Sequence, residues 1–590
     1  MKFIRFALYM VLVVGGATSC NKLDQDPKST VSKEAVFNTE SGLKLYSNSF
    51  YSILPTSTDV LRGDNMGDFV ARKDVPDFFR AGAFGPRQST GWTWTALRNI
   101  NYFLENNNSP AVSEEVRNDY NGIARLFRAF FYFEKVKRFG NVPWINKTLS
   151  NTDDQLLYGG RDPRQMVMDS VLKDLDFAIQ HIRAESEPTR TRITKTAALA
   201  LKSRICLFEG TYRKYHEELG LQSTAAAWLE DAAEAAQAVM DTKIYALNTS
   251  GESSYRDLFV KQGTTNETIL NIAYSTELAV YHDANWYYTS ASYGDRLSFT
   301  RKFIHTYLNR DGSSFTSATG YRTKTFQEET QNRDRRLEQT IRTKGYARVN
   351  GGQSILSAPG FSQTYTGYQP IKWVEPDMSL DGGARNAYNI PLVRYAEVLL
   401  NFAEAKAELG TLSDADWAKS IGLLRERGGI TQGLLTKPTV VDTYLQQAYF
   451  PAINDAGILE VRRERAIELA LEGFRFYDII RWKRGDLFTD DWNGMYVPTL
   501  NTPMDLNGDG KNDVAFVTST PSQTESGVIY MNVASTVNGQ PNAMILSEGN
   551  KGEILWMKQV QRAWHDRMYL YPIPESDYLM NPNLKQNPNW

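Results

Sequence analysis

The sequence contains very little cysteine and histidine, and this scarcity excludes several kinds of site. Only Cys20 and Cys206 occur among the 590 residues, so a disulfide framework cannot hold the fold. The five histidines do not pair at the spacing of metal ligands, and the chain has no G-x-S-x-G elbow, Walker A loop or dinucleotide fingerprint. Paired carboxylates for glycoside hydrolysis have no fixed local signature, so that chemistry stays open. We expect Cys206, in the apolar stretch 197–208, to be a small buried hydrophobe.

The chain also lacks a strong charge of either sign. Its 66 basic and 68 acidic residues give a net charge of −2, which leaves no electrostatic footprint for nucleic acid. Beyond the N-terminus there is no apolar run of about 20 residues, so no transmembrane helix is expected. Aromatic residues, by contrast, make up 12% of the chain. Stacking of aromatic rings on a ligand is one candidate reason for that abundance.

The N-terminus has the pattern of an export signal. Lys2 and Arg5 precede a short apolar stretch at 6–14, and small residues at 15–19 lead to Cys20. The last four residues of this pattern resemble a bacterial lipobox, in which the cysteine is diacylated and becomes the mature N-terminus. We therefore predict a signal peptide at 1–19, lipidation at Cys20 and a polar tether at 20–30. A plain secretory signal with a chance cysteine is the alternative.

Helical periodicity dominates the body and predicts a mostly α fold. Expected helices lie at 114–139, from 163 onward, and at 194–212, 225–240, 395–409, 414–427 and 458–472. Alanines at close-packing positions suggest helix pairs that stack like tetratricopeptide repeats. The predicted parts are a helical scaffold at 31–244 and 391–498, an irregular ligand-binding insertion with few short strands at 245–390, and a loop-rich C-terminal part at 499–590.

One loop in the C-terminal part has the pattern of a calcium site. Oxygen ligands stand at positions 1, 3, 5 and 9 of an EF-hand-like loop, the backbone carbonyl of Lys511 fills position 7, and Gly510 fills position 6. The candidate ligands are Asp505, Asn507, Asp509, Lys511 and Asp513. Position 12 is Phe516, so the usual bidentate glutamate is missing. Structural calcium on a long loop is one interpretation, and an Asx/Gly turn is the other.

Six stretches, spread from end to end, resemble the SusD/RagB family of surface nutrient-binding lipoproteins. They are 19–27 around Cys20, 94–101, 125–143 with its run of aromatic residues and Phe139-Gly140-Asn141-Val142-Pro143, 392–400, 464–482, and 571–588 with Tyr571-Pro572-Ile573-Pro574. Charged residues in these stretches are expected to make structural ion pairs and helix caps. These residues are Arg128, Arg394, Glu397, Glu464, Glu472, Arg475 and Arg481.

The resemblance implies a tetratricopeptide-like scaffold that carries an irregular binding portion. It implies no catalysis and no required cofactor. It also implies a protein on the outer membrane that faces outward, captures a glycan and acts as a lid over a SusC-like TonB-dependent transporter. Capture of peptides or another oligomeric nutrient is the alternative from the same scaffold. A surface glycoside hydrolase and a purely structural helical adaptor are the remaining hypotheses.

Candidate ligand contacts are aromatic residues in irregular segments beside polar groups. A sugar offers an apolar C–H face for stacking and hydroxyls for hydrogen bonds, so such mixed segments suit it. Two segments, at 62–68 with two nearby tryptophans and at 285–293, have this composition. The candidates are Arg62, Asp64, Asn65, Asp68, Trp92, Trp94, Trp286, Tyr287, Tyr288 and Tyr293, with Trp373 and Arg385 as additions. If 286–288 were a strand, Tyr287 and Tyr288 would face opposite sides.

Overall fold

The computed structural model describes residues 33–184 and 186–590. The predicted signal peptide, Cys20 and the tether lie outside the described residues, so lipidation stays a prediction. Within the described ranges, no helix combines the length and the apolar character needed to cross a bilayer.

The fold is mostly α, as predicted from the sequence. The first helices are α1 Lys33–Phe37, α2 Glu40–Ser47, α3 Ser57–Leu61, α4 Thr95–Asn106, α5 Glu114–Phe139, α6 Asp154–Leu157, α7 Arg164–His181, α8 Lys195–Tyr215 and α9 Ala225–Asp241. Those of the middle part are α10 Ser254–Val260, α11 Ala284–Thr289, α12 Arg301–Ile304, α13 Phe326–Thr330 and α14 Arg335–Thr340. The last are α15 Tyr395–Glu408, α16 Asp414–Trp417, α17 Leu423–Arg427, α18 Thr443–Ala448, α19 Ala456–Glu468, α20 Arg475–Arg481 and α21 Glu575–Met580.

The strands are short and form only small sheets. They are β1 Val70–Ala71, β2 Thr268–Ile272, β3 Ser298–Phe299, β4 Ala347–Asn350, β5 Gln353–Leu356, β6 Ile390–Arg394, β7 Trp492–Val497, β8 Val514–Val517, β9 Ile529–Asn532, β10 Thr536–Val537, β11 Gln540–Pro541, β12 Met544–Leu546 and β13 Gly552–Trp556. Antiparallel pairs are β1–β3, β2–β6, β4–β5 and β10–β11, β8–β9 is parallel, and β12–β13–β7 is a three-stranded antiparallel sheet. The β1–β3 pair joins the segments at 62–72 and 293–299, which carry several of the predicted ligand contacts.

The helical scaffold is built from closely packed pairs with tetratricopeptide-like character. Helix α8 packs on α9, α5 on α7, and α15 on both α9 and α19. Small residues permit the close approach: a Cβ at Gly210 would lie 2.8 Å from the Leu229 side chain. Helix α5 has the predicted ends, because Ser113 caps its first turn and Gly140, with φ 74°, ends it. Cys206 is buried in α8, as expected.

Two predicted helices differ in detail from the structure. The helix at 414–427 contains a π-turn at Ala418–Gly422, where a Cβ at Gly422 would lie only 2.2 Å from the Leu434 carbonyl oxygen. The helix predicted at 458–472 ends earlier, at Glu468. The backbone turns there through Leu471 and Gly473, which have φ 64° and 83°.

A buried network of charges joins the middle segment to the last helices. We call it the ion spine: Glu267, Asp334, Arg336, Lys372, Arg394, Arg425, Arg427, Glu464, Glu468 and Glu472, all buried. Glu468 lies at its centre and pairs with Arg336 at 3.0 Å, with Arg394 at 2.6 Å, and with Arg427. A buried charge is costly without such partners. The spine therefore fixes the segment at 245–390 firmly to the helices.

Candidate functional site

The candidate site forms where two distant segments meet. Arg62, which ends α3, donates from Nη2 to the Asp283 carboxylate at 2.6 Å and to the Tyr293 hydroxyl at 2.9 Å. Arg62 and Asp283 are 221 positions apart in the chain. Helix α3 is fixed at its start by a capping box between Thr56 and Asp59. This short helix, capped at its start and followed directly by Arg62, positions a guanidinium group beside the predicted aromatic segment.

Two aromatic rings form the exposed part of the site. Trp286 and Tyr293 stack with 3.6 Å between ring centroids and 12° between planes, and both are partly exposed. The chain folds back between Trp286 and Tyr293, and Gly294 permits this. It has φ 78°, and a Cβ there would lie 2.6 Å from the Tyr287 ring. We call Trp286, Tyr293, Arg62 and Asp283 the aromatic platform.

A second layer of polar contacts holds the platform from below. The Asn65 amide donates to Asp295 at 2.6 Å and accepts from the Tyr287 hydroxyl at 2.8 Å. Arg72 pairs with the same carboxylate at 2.8 Å. The Arg62 guanidinium lies 4.6 Å from the centre of the Tyr287 ring. Tyr287 is therefore a support for the platform and is itself buried.

The segment at 286–288 is helical, so the strand considered for it is wrong. In α11 the partly exposed Trp286 is followed by two residues that both point inward. Tyr288 is buried and donates its hydroxyl to the Leu61 carbonyl at 2.7 Å. Because helical residues are spaced by about 100° and not 180°, Tyr287 and Tyr288 share the buried side.

Two predicted acidic contacts are buried as structural groups and offer no surface to a ligand. Asp64 accepts from the backbone nitrogens of Gly473 at 3.2 Å and Arg475 at 3.0 Å. Its burial raises its pKa to about 7, against the lowering effect of these hydrogen bonds. Asp68 forms a two-point ion pair with the Arg475 guanidinium at 2.6 and 2.9 Å. Both residues fasten the loop that bears Arg62 to the start of α20.

Two predicted tryptophans are buried in the interior, and a third packs against it. Trp373 is 0% exposed and donates to the Leu471 carbonyl at 2.9 Å, so it cannot stack on a ligand. Trp92 is buried against Phe139, with ring centroids 5.0 Å apart. Trp94 is only partly buried, but it packs edge-on against Trp92 at 5.3 Å and lines the helical core. An isolated tryptophan in a polar stretch gives no periodicity from which its burial could be predicted.

Arg385 is exposed and donates to the Ser379 carbonyl at 2.7 Å. Its backbone nitrogen donates to the carbonyl of His282 at 3.1 Å, so Arg385 lies beside the segment that carries Asp283. Sequence reasoning also missed Asp283, Asp295 and Arg72. Only their position beside the aromatic segment or the loop at 62–68 could have suggested them.

The calcium-like loop is organised by its own backbone. The Asp505 carboxylate accepts from the nitrogens of Gly508 at 2.6 Å and Gly510 at 2.9 Å, and Asp513 accepts from Leu506 at 2.7 Å. Burial raises the pKa of Asp513, and the neighbouring carboxylates raise it further. Within the described part of the chain, no group of three or more His, Cys, Asp or Glu side chains is arranged to hold a metal ion. Calcium binding therefore rests on the sequence pattern alone.

A groove that the sequence did not indicate lies between the segments at 312–322 and 438–448. It consists of two cavities of about 740 and 360 Å³, which share Tyr321, Arg322, Tyr444 and Ala448 in their walls. Most of the wall of the larger cavity comes from 312–322 and 438–448, and the smaller cavity is completed by residues at 302–305, 490–493 and 553–555.

The chain is similar to proteins of the SusD family over most of its length. The model of the SusD family matches residues 266–590, and a second model, described as "Starch-binding associating with outer membrane", matches 88–207. SusD-like protein P2 of Formosa agariphila is 23% identical over 516 residues, which cover 82% of this chain and 91% of the relative.

Solved structures with similar folds cover nearly all of the chain. A SusD-like protein from Bacteroides fragilis has 21% identity and a TM-score of 0.66, and the match covers 96% of this chain and 100% of that one. A SusD-like carbohydrate binding protein from the same organism has 19% identity and a TM-score of 0.66, with 94% and 100% covered. At these identities the likeness describes the fold.

Proposed function

Because the chain belongs to the SusD family, we propose that it is a non-catalytic glycan-binding protein of the outer membrane that delivers its ligand to a TonB-dependent transporter. The predicted family is thereby confirmed, and the two matched regions contain five of the six resembling stretches, all but the one at 19–27. Lipidation at Cys20, the transporter partner and the glycan are parts of the proposal. The SusD-like carbohydrate binding protein from Bacteroides fragilis, which has a similar fold, supports the ligand class.

The stacked pair of Trp286 and Tyr293 is the observation that carries the proposal. Stacking fixes both rings, so little side-chain entropy is lost when a sugar ring packs on their exposed part. Arg62 and Asp283 stand beside them as donor and acceptor, with side chains 30% and 19% exposed. A partly exposed aromatic face with charged hydrogen-bonding groups at its edge is suited to a sugar.

The carboxylates beside the platform favour binding over hydrolysis. A glycoside hydrolase needs two carboxyl groups that act on one bond. Asp283 and Asp295 are instead each engaged with an arginine, Arg62 and Arg72, and both help to hold the platform together. This arrangement supports a capture site.

The test is calorimetry with a panel of plant, host and microbial oligosaccharides on a soluble form that starts at residue 21. We expect at least one glycan to bind. Trp286→Ala should weaken that binding about tenfold, because burial of the aromatic surface against a sugar contributes roughly 1–3 kcal/mol to the binding free energy. Tyr158→Ala is the matched control, because Tyr158 is an exposed aromatic residue, 56% exposed, on another part of the chain.

Chromatography of the bound oligosaccharide after long incubation checks catalysis. Release of shorter products would make the protein a hydrolase. If no glycan of the panel binds and oligopeptides do, the result would favour the alternative of peptide capture. The transporter is tested by affinity purification of the full chain from outer membranes, where we expect a TonB-dependent transporter to co-purify.

A further inference from the structure

The groove has the shape and size of a ligand site. Its two cavities, of about 740 and 360 Å³, lie within or near the range of sites that bind small molecules. They are continuous, because Tyr321, Arg322, Tyr444 and Ala448 line both. A ligand of several linked units could therefore pass from one cavity to the other across these shared residues.

Aromatic rings stand at the junction of the two cavities. Tyr321 and Tyr444 are both partly exposed, with ring centroids 6.4 Å apart and planes at 80°. Tyr444 is held in place because its hydroxyl donates to the Lys302 carbonyl at 2.8 Å. His305 packs edge-on behind Tyr321 at 5.3 Å. The rings are thus fixed by the protein and offer apolar surface to the groove.

The carboxylates of the groove are already paired with cations of the protein. Each of the five that line it is in an ion pair. The pairs are Asp442 with Arg463, Glu460 with Arg425 and Arg463, Asp490 with Lys302, Asp491 with Lys558, and Glu553 with Arg301. Three of the lining cations, Lys302, Arg425 and Arg463, are used in these pairs.

Arg322 differs from the other cations of the groove. Its side chain is exposed at the junction, and among the described residues no carboxylate lies within ion-pair distance of it. Its Nε donates to the Tyr321 hydroxyl at 3.2 Å, which orients the guanidinium beside the ring. This guanidinium is therefore available to a ligand at the point where Tyr321 and Tyr444 line both cavities.

We propose that this groove is a second glycan site, selective for an oligosaccharide that carries a carboxylate. Sugar rings pack on Tyr321 and Tyr444, and the carboxylate of a uronic acid unit accepts two hydrogen bonds from the Arg322 guanidinium, the geometry that arginine favours. The proposal rests on the proposed function for its glycan class. It adds a charge preference and a place separate from the aromatic platform.

Calorimetry with three uronate tetramers tests it: galacturonate, mannuronate and a glucuronate-containing tetramer, each compared with its carboxyl-reduced form. At least one uronate tetramer should bind the wild-type chain and lose about tenfold or more of its affinity when its carboxyls are reduced, because the charged hydrogen bonds to Arg322 are then lost. Arg322→Gln should cause the same loss and remove the difference between the two ligands. Tyr321→Ala should weaken both forms.

Two variants separate this site from the platform. Trp286→Ala should leave uronate binding unchanged, and Arg322→Gln should leave binding of the panel glycans unchanged. Arg87→Gln is the matched control, since the Arg87 side chain is 77% exposed and far from the groove in sequence. Absence of uronate binding, or equal binding by wild type and Arg322→Gln, overturns the second site. Loss of panel binding with Trp286→Ala would still support the platform in either case.

Discussion

The ion spine and the aromatic platform use similar residues in opposite surroundings. In the spine, Arg336, Arg427 and Glu468 have side chains that are 0% exposed, and each charge has more than one partner. In the platform, the pair between Arg62 and Asp283 keeps 30% and 19% of its side chains in contact with solvent. A buried pair must be complete, whereas a half-exposed pair can exchange a protein partner for water or a ligand.

This difference explains which residues made the sequence recognisable. The charged residues in the resembling stretches were predicted to be structural, and that prediction is confirmed. The pairs are Arg128 with Asp174, Arg394 with Glu472, Glu397 with Arg204, Glu464 with Arg336, Arg475 with Asp68, and Arg481 with Glu404. These pairs identify the scaffold. They do not identify the ligand, because none of them belongs to the platform.

The largest expected effect is in the spine. Glu468→Ala leaves Arg336, Arg394 and Arg427 without a shared partner, so we expect the free energy of unfolding to fall by roughly 3–5 kcal/mol. Urea denaturation measures it, with Glu426→Ala, an exposed residue of α17, as the control. Ligand preference of the protein that remains folded should be unchanged. A loss below that of the control variant would contradict the structural role of the spine.

The next effect concerns Asp64, which connects the two regions. Its pKa of about 7 lies above the ordinary value of about 3.9. Between these values the folded state keeps a proton that the unfolded state has released, so this group makes stability fall as pH rises from about 4 to 7.

Asp64→Asn removes that titration. The stability of the variant relative to wild type should therefore rise with pH over this window, by about 4 kcal/mol in total. Urea denaturation at several pH values measures the difference. A difference that does not depend on pH would mean that Asp64 stays ionised in the folded protein.

A smaller effect is expected at the platform. Arg62→Ala removes a partly exposed ion pair, so stability should change by no more than about 1 kcal/mol. Affinity for the glycan that binds the wild type should fall about tenfold, because a charged donor at the edge of the rings is lost. Arg62→Lys, which keeps the charge but not the two-point geometry, should lie between the two. A large stability loss without an affinity change would place Arg62 with the spine.

The smallest effect is expected from calcium, whose binding by the loop at 505–513 we keep as a proposal. A cation would reduce the repulsion that raises the pKa of Asp513. With the position-12 glutamate missing, binding should be weak, so millimolar Ca²⁺ should raise the Tm by only about 1–2 °C over chelator. Asp509→Asn should remove this rise. Equal Tm values with Ca²⁺ and chelator would identify the loop as an Asx/Gly turn.

The sequence predicted the long helices well because their signals are local. Caps such as Ser113 and Gly140 and a regular apolar face fix the ends of α5 within the chain itself. Helix α11 was not predicted because its six residues are too few to establish a period. The burial of Trp373 and the groove around Tyr321 and Tyr444 depend on contacts between remote segments. Neither periodicity nor composition records such contacts.

The close contact between Gly63 and Gly473 has a mechanical consequence. A Cβ at Gly63 would lie 2.5 Å from the Gly473 Cα, so two backbones touch there with no side chain between them. Gly63 directly follows Arg62, and Gly473 directly follows the spine residue Glu472. A load on the platform, such as the pull of a long polymer held at one end, is therefore transmitted directly to the helices.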